Sequence, residues 1–208
     1  MGDDVRVDLL PASRARVAGA VLTVSHAQYP AFRHLFPDER QRQRVLRPFM
    51  TATARDAARY GRCYAAQRDE VLAVALWMPP GTWPLSSLRK LRMAPALLGV
   101  MAAAGRKAGA WARTGSALEE HATEERAWYL EAMGVRPEAQ RGGLGARLLM
   151  PVLDEADAQG VPCRLHTSDE ANVGYYERFG FGVSEPLRPV FPGGPAYLAM
   201  RREPRTRG

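Results

Sequence analysis

One short run, Gln140-Arg141-Gly142-Gly143-Leu144-Gly145-Ala146, limits what this chain can fold into more than any other part of it. It follows an apolar stretch, Ala127 to Val135, that Pro137 stops, and it opens a periodic segment that Gly160 ends. Strand, glycine loop and helix are therefore the expected local order. The first N–H groups of a helix lack intrahelical partners and carry partial positive charge, and glycines let such a backbone curl around an anion. The loop reads as a phosphate cradle, with Arg136, Arg141 and Arg147 adding full charges around it. A tight turn with no ligand is the plain alternative. Two phosphate-binding classes are excluded. No Lys-Ser/Thr pair ends the loop as a P-loop needs, and Leu148 stands where a dinucleotide fold requires a third small residue.

The rest of the chain is read around that unit. Val5, Val7 and Leu9 alternate with Arg6 and Asp8 as a half-buried strand, and Ser13 is the expected N-cap of a helix through Val17, Ala20, Val21 and Val24. From His26 to Phe49 aromatic and basic residues mix around Pro30 and Pro37, which predicts short helices joined by turns; Ala52 to Arg59 is a further helix. Gly61 to Gln67 and Val71 to Met78 read as a hairpin across Arg68-Asp69-Glu70. Trp83 to Glu125 reads as a helical insertion in two or three pieces, broken at Pro95, Gly99, Gly105 and Gly109. In the second half, Ala127 to Val135 is a strand with Tyr129, Glu131, Met133 and Val135 on one face. Val161 to Thr167, Phe181 to Val190 and Ala196 to Arg201 are strands, and Asn172 to Phe179 is a short helix. With no repeat and no long linker, residues 1–203 read as one domain with an insertion at 83–125, and 204–208 as a basic flexible tail.

Composition removes several functional classes. At 46% hydrophobic and 25% charged, 208 residues can bury a core without covalent staples. Cys63 and Cys163 alone make neither a disulfide-dense scaffold nor an all-cysteine zinc site, and His26, His34 and His121 share no ligand-like spacing, so no metal is expected. Met1 to Asp8 carry no signal-peptide core, and Met93 to Ala104 is shorter than the roughly 20 residues a bilayer needs, so the expected location is cytoplasmic. The formal charge is +7, with 29 basic against 22 acidic residues, and only Lys90 and Lys107 are Lys. That skew reads first as genome composition and second as a surface built to meet anions.

Val135-Arg136-Pro137 followed by Gln140, Gly143 and Gly145 resembles the acyl-CoA site of the GNAT N-acetyltransferase superfamily. Asn172-Val173-Gly174-Tyr175-Tyr176-Glu177-Arg178-Phe179-Gly180-Phe181 resembles a second segment of the same family, in the right order. Within it the chain is most similar to the puromycin N-acetyltransferase-like group, through Ala127-Trp128-Tyr129-Leu130, Pro151, and Tyr29 to His34. The resemblance covers 126–202 well and 83–125 hardly at all. It implies an α/β (α+β) fold: a mixed, mostly antiparallel twisted sheet flanked by helices, with acetyl-CoA as co-substrate. The strand ending at Val135 would splay from the one ending at Thr167. The pantetheine arm would lie between them, on main-chain groups near Met133 and Val135 and near Asn172. The pyrophosphate would sit on Gln140, Arg141, Gly142, Gly143, Leu144, Gly145 and Ala146.

Acyl transfer to an amine needs a neutral nucleophile, a stabilised oxyanion and a proton for the leaving thiolate. The resemblance makes Tyr176 the general acid; Tyr175, about 100° round a helix, is expected to pack. Glu131 stands mid-strand where an apolar residue is ordinary, so it is either the base or a structural acid pairing an Arg. His166 competes for the base role: related sequences tend to carry Glu there, and an imidazole suits base work at neutral pH. Cys163 reads as a small buried apolar residue. His166, Ser168 and Asp169 make no hydrolytic triad, because strand alternation separates them and no G-x-S-x-G is present. Tyr29, Phe32 and His34, with Phe36 and Trp83, are either an aromatic acceptor cleft or core.

The expected function is acetyl-CoA-dependent acetylation of a primary amine on a small molecule, with no nucleic-acid or membrane partner; a homodimer is compatible with the sequence. One rival is a basic nucleic-acid or membrane-surface binder using Arg89, Lys90, Arg92, Arg106, Lys107 and Arg113, opposed by Glu119, Glu120, Glu124 and Glu125. The other is an acyl-CoA sensor without turnover.

Overall fold

Val71 to Met78 is apolar throughout, and the strand it forms, β3, has almost every residue buried, as a strand covered on both faces must. The computed structural model describes residues 5–120, 126–187 and 193–205. Around β3 the sheet is completed by β1 (Arg6–Leu9), β2 (Arg62–Gln67), β4 (Trp128–Val135), β5 (Cys163–Thr167), β6 (Gly182–Leu187) and β7 (Tyr197–Arg202), in the order β1-β2-β3-β4-β5-β7-β6. Every neighbouring pair is antiparallel except β4 and β5. The mixed, mostly antiparallel sheet flanked by helices is thus as expected. The last three residues of the strand expected over Phe181 to Val190 lie outside the described residues.

Helices cover both faces. On one, α1 (Ala15–Ser25) and the long helix α3 (Glu39–Tyr60) lay Val21, Leu22, Leu46 and Met50 against Val74 and Leu76. On the other, α6 (Leu144–Gln159) lays Leu148, Leu149 and Val152 against Trp77, Trp128 and Leu165. Between α1 and α3 lies α2 (Pro30–Leu35); after β3 come α4 (Ser87–Ala104) and α5 (Ala108–Glu120); after β5 comes α7 (Val173–Glu177).

Several local expectations are corrected. Ser13 is not an N-cap: it lies in a 3-10 turn, Ala12–Arg14, and α1 starts after Arg14 with no side-chain cap. The helix expected over Ala52 to Arg59 is the second half of α3, which starts from Asp38, whose side chain accepts from the Gln41 N–H, and runs through Pro48. Likewise α4 runs through Pro95 and Gly99, and α5 contains Gly109; only Gly105, at φ +55, breaks the pair. Burial of Met93, Val100 and Ala104 holds α4 together where local propensity alone would end it.

The correction that matters for function is in β4. Its register against β3 passes from Leu76↔Ala132 to Trp77↔Leu130, leaving Glu131 as an extra residue in a bulge. One added residue reverses the alternation that follows. Tyr129 therefore packs on the α1/α3 side, whereas Met133 and Val135 pack on the α6 side, and the four residues expected on one face do not share it. Beyond the bulge β4 also leaves β5: their pairing stops at Leu130↔Leu165. The splay expected between these two strands is present.

Candidate functional site

A cavity of about 1370 Å³ begins at the glycine loop, follows the unpaired edge of β4 and ends beneath α1, α3 and the α4–α5 pair. Of the residues expected at a site, it gathers Tyr29, Phe32, Glu131, Met133, Val135, Gln140, Arg141, Gly143, Leu144, Gly145, Ala146, His166, Asn172 and Tyr176. Two are not on its wall. Gly142 faces solvent within the loop, and His34 is exposed on α2, whose buried face is Ala31 and Leu35. Phe36 is core, packed with Val45 and Val100.

At the loop end, Arg141 and Gly143 take left-handed conformations, φ 65 and 74. No side chain caps α6, and Arg147 N donates to Gly143 O at 3.2 Å, so the N–H groups of Leu144, Gly145 and Ala146 have no acceptor inside the helix. Arg141 lines the cavity, but Arg136 and Arg147 do not. Arg136 donates to Val71 O at 2.9 Å and meets Glu70 and Glu138 at 3.5 and 3.6 Å, while Arg147 reaches Val5 O. Long side chains carry two of the three expected charges away from the loop.

In the middle stretch, Gln140 Nε2 donates to Val135 O (3.2 Å) and Asn172 Nδ2 to Thr167 Oγ1 (3.4 Å). Tyr175 packs as expected, its ring 5.3 Å from Phe179 and under the Arg178 guanidinium at 5.1 Å. It also lines the cavity, and its hydroxyl is buried without a hydrogen-bond partner against Gly145, where a Cβ would collide with it. Tyr176 is buried edge-on to Phe181 at 5.8 Å, and burial raises its phenol pKa above the ordinary value, so the hydroxyl is protonated near neutral pH.

At the far end Glu131 Oε2 is buried without a hydrogen-bond partner. Burial pushes its carboxyl up to about 8; the Asp56 charge adds to the rise, Arg89 opposes it and Glu119 adds to it. The structural alternative for Glu131 required an arginine partner. The arginine at hand, Arg89 of α4, pairs with Asp56 of α3 instead, Nε to Oδ1 at 3.2 Å, both side chains buried. His166 Nδ1 lies 3.0 Å from the Tyr129 hydroxyl, and Trp83 stacks on Tyr129 with centroids 4.4 Å apart. The Tyr29 hydroxyl donates to Thr167 Oγ1 (3.1 Å) and accepts from Ser168 N (2.6 Å), fixing the α2 side of the chamber to the end of β5.

No hydrolytic triad forms: Ser168 Oγ accepts from Ala31 N at 3.3 Å and Asp169 accepts from Ala171 N at 3.1 Å. Burial pushes the Cys163 thiol up to about 12, which leaves no thiolate for covalent catalysis near neutrality. Among the described residues no group of His, Cys, Asp and Glu could hold a metal, and no helix is long and apolar enough to cross a membrane. His121, Glu124 and Glu125 lie outside the described residues.

Sequence reasoning missed Trp111 of α5, which meets Phe49 at 4.9 Å and Phe32 at 5.7 Å, and the ion pair of Lys90 with Glu119 at 2.5 Å, both on the cavity wall. A lone Trp in an Ala-rich helix was the available signal for the first. Nothing in the spacing of Lys90 and Glu119, on different helices, signals the second.

An uncapped helix start, a splayed strand edge and a carboxyl oxygen without a hydrogen-bond partner thus share one cavity. A sequence model of the acetyltransferase (GNAT) family matches residues 23–181, and the chain belongs to that family. Solved structures agree on the fold. Histone acetyltransferase HPA2 and related acetyltransferase from Corynebacterium glutamicum superposes with a TM-score of 0.69 at 19% identity, covering 98% of both chains. The polyamine N-acetyltransferase of Drosophila melanogaster gives 0.63 at 16%, covering 96% of this chain and 100% of its own. PaiA N-acetyltransferase of Thermoplasma acidophilum, in complex with coenzyme A, gives 0.57 at 12%, covering 96% and 98%.

Proposed function

We propose that this acetyltransferase moves an acetyl group from acetyl-CoA directly onto the primary amine of a small molecule, as a member of the puromycin N-acetyltransferase-like group. The observation that carries the reading is that Glu131, half-buried with its Oε2 buried and without a hydrogen-bond partner, shares one cavity with the uncapped start of α6. The residues fit the co-substrate. The N–H groups of Leu144 to Ala146 would hold the pyrophosphate beside Arg141, and the edge of β4 from Met133 to Val135 would hold the pantetheine arm near Asn172. When bound, acetyl-CoA supplies the acetyl group and a thiolate leaving group.

The chain's own groups do the rest. Glu131 Oε2, ionised, takes a proton from the acceptor's ammonium and leaves the neutral amine that can attack. Tyr176 delivers its hydroxyl proton to the departing sulfur, and the tyrosinate so formed is reprotonated by the proton that the attacking nitrogen sheds as it becomes the amide. His166, oriented through Nδ1 by Tyr129, is the second candidate base. Amine acceptors named for the fold relatives, polyamine in the fruit-fly enzyme and agmatine in another, accord with an amine as the acceptor. In this reading residues 1–203 form one domain whose 83–125 segment roofs the acceptor chamber, the protein is cytoplasmic, and its partners are small molecules.

The test is a pair of titrations. Acetyl-CoA should raise the melting temperature, and free thiol should appear only when a primary amine is added. No melting shift at millimolar acetyl-CoA would end the proposal. Comparing Glu131→Gln with His166→Ala assigns the base. Because the base acts deprotonated, wild-type kcat/KM should climb as pH rises towards about 8 and level above it, and the variant lacking the true base loses that limb.

A further inference from the structure

The acceptor end of the cavity is a chamber of rings, Tyr29, Phe32, Phe49, Trp83, Trp111 and Tyr129, drawn from five parts of the chain. They meet one another at centroid distances of 4.4 to 5.7 Å: Trp83 on Tyr129, Phe49 on Trp111, Tyr29 on Phe32 at 5.5 Å and Phe32 on Trp111. Faces of this kind favour a flat apolar body, and the weak attraction a ring offers a cation does not replace a carboxylate partner.

The charges in the chamber are few. Glu131 is unpaired. Glu119 of α5 is the other carboxylate on this part of the wall, and Lys90 of α4 holds it at 2.5 Å; the pair straddles the rim, the two side chains 49% and 25% exposed. Asp169 is turned to the Ala171 N–H, and Arg141 and Arg178 stand with the glycine loop and Tyr175 at the other end. Two uncharged polar atoms, Thr53 Oγ1 and Trp83 Nε1, are also buried on the wall with no hydrogen-bond partner. One ammonium entering the chamber meets Glu131. A second would meet an aromatic wall and the Lys90 ammonium, and a buried charge with no partner is strongly disfavoured.

We propose that the acceptor is a monoamine carried on a flat aromatic body with an uncharged polar substituent, and that Lys90, by holding Glu119, excludes acceptors bearing a second positive charge. This rests on the acetyltransferase reading above and names the substrate class of that same site. Lys90 is thus a specificity residue that acts through Glu119.

The experiment compares tyramine and tryptamine with putrescine and agmatine on the full chain, by kcat/KM for thiol release and by quenching of tryptophan fluorescence without acetyl-CoA. The wild type should prefer the aromatic monoamines by about 100-fold or more. Lys90→Met should cut that preference about tenfold, through a lower KM for the diamines, and Lys90→Met with Glu119→Gln should bring it back, which a merely structural role would not do. Equal or better use of putrescine by the wild type, or a preference untouched by Lys90→Met, overturns the proposal. Turnover with diamines preferred sinks the acceptor class and leaves the acetyltransferase reading standing. Selective quenching by the aromatic monoamines without any thiol release does the reverse.

Discussion

Glu131 occupies a position that strand chemistry gives no reason to make acidic, and its environment keeps it in tension: half-buried, its Oε2 without a hydrogen-bond partner, and near the Asp56–Arg89 pair. Glu131→Gln is expected to lower kcat/KM by about 10²–10³-fold, in the range general-base removal produces, with acetyl-CoA affinity unchanged. The same group predicts a stability effect. Its carboxyl titrates near 4.5 when unfolded and near 8 when folded, so between those values the folded chain holds a proton that the unfolded chain has lost. Stability must then fall as pH rises through that window, and Glu131→Gln should flatten that part of the curve in denaturant melts. Tyr176→Phe keeps the ring packed on Phe181 but removes the proton; turnover should drop about 10–100-fold at unchanged melting temperature, and full turnover would remove Tyr176 from the acid role.

At the scale of elements, α6, the bulge in β4 and the α4–α5 pair build the site. The start of α6 was legible in the sequence because a backbone with φ +74 at Gly143 leaves a glycine behind, as φ +64 does at Gly160 where the helix stops. Gly143→Ala meets no neighbouring atom, so its cost is conformational, about 1 kcal/mol, and acetyl-CoA affinity measured by calorimetry should weaken about tenfold or more. The bulge was not legible. It moves Tyr129 and Met133 to opposite faces by one residue of register, and register is written in hydrogen bonds rather than composition. The continuity of α3 through Pro48 and α4 through Pro95 was hidden for a related reason, since buried contacts outweigh local breakers. Trp111→Ala should loosen α5 by about 2 kcal/mol, less than a fully buried Trp would cost, and raise the acceptor KM without changing acetyl-CoA binding.

For the molecule as a whole, part of the +7 charge has structural work. Arg89 is buried with Asp56, Lys90 holds Glu119, Arg92 reaches the Tyr60 hydroxyl, and Arg136 and Arg147 brace β3 and the segment leading into β1. Within 83–125, Arg89 and Arg92 tie α4 to α3 and Lys90 ties α4 to α5, while Arg106 and Arg113 stay exposed, a division that a linear reading of charge cannot show. What the proposed function needs is continuity between two ends of one cavity, the glycine loop at the start of α6 and the chamber that holds Glu131. The most direct measurement is to supply acetyl-CoA with an isotope-labelled acetyl group and a panel of primary amines, then follow the label by mass spectrometry. The account predicts labelled N-acetylamine formed in step with free thiol, and sharply less of it from Glu131→Gln. Thiol release with no labelled amine, or no turnover of any amine by a folded protein that binds acetyl-CoA, would contradict it.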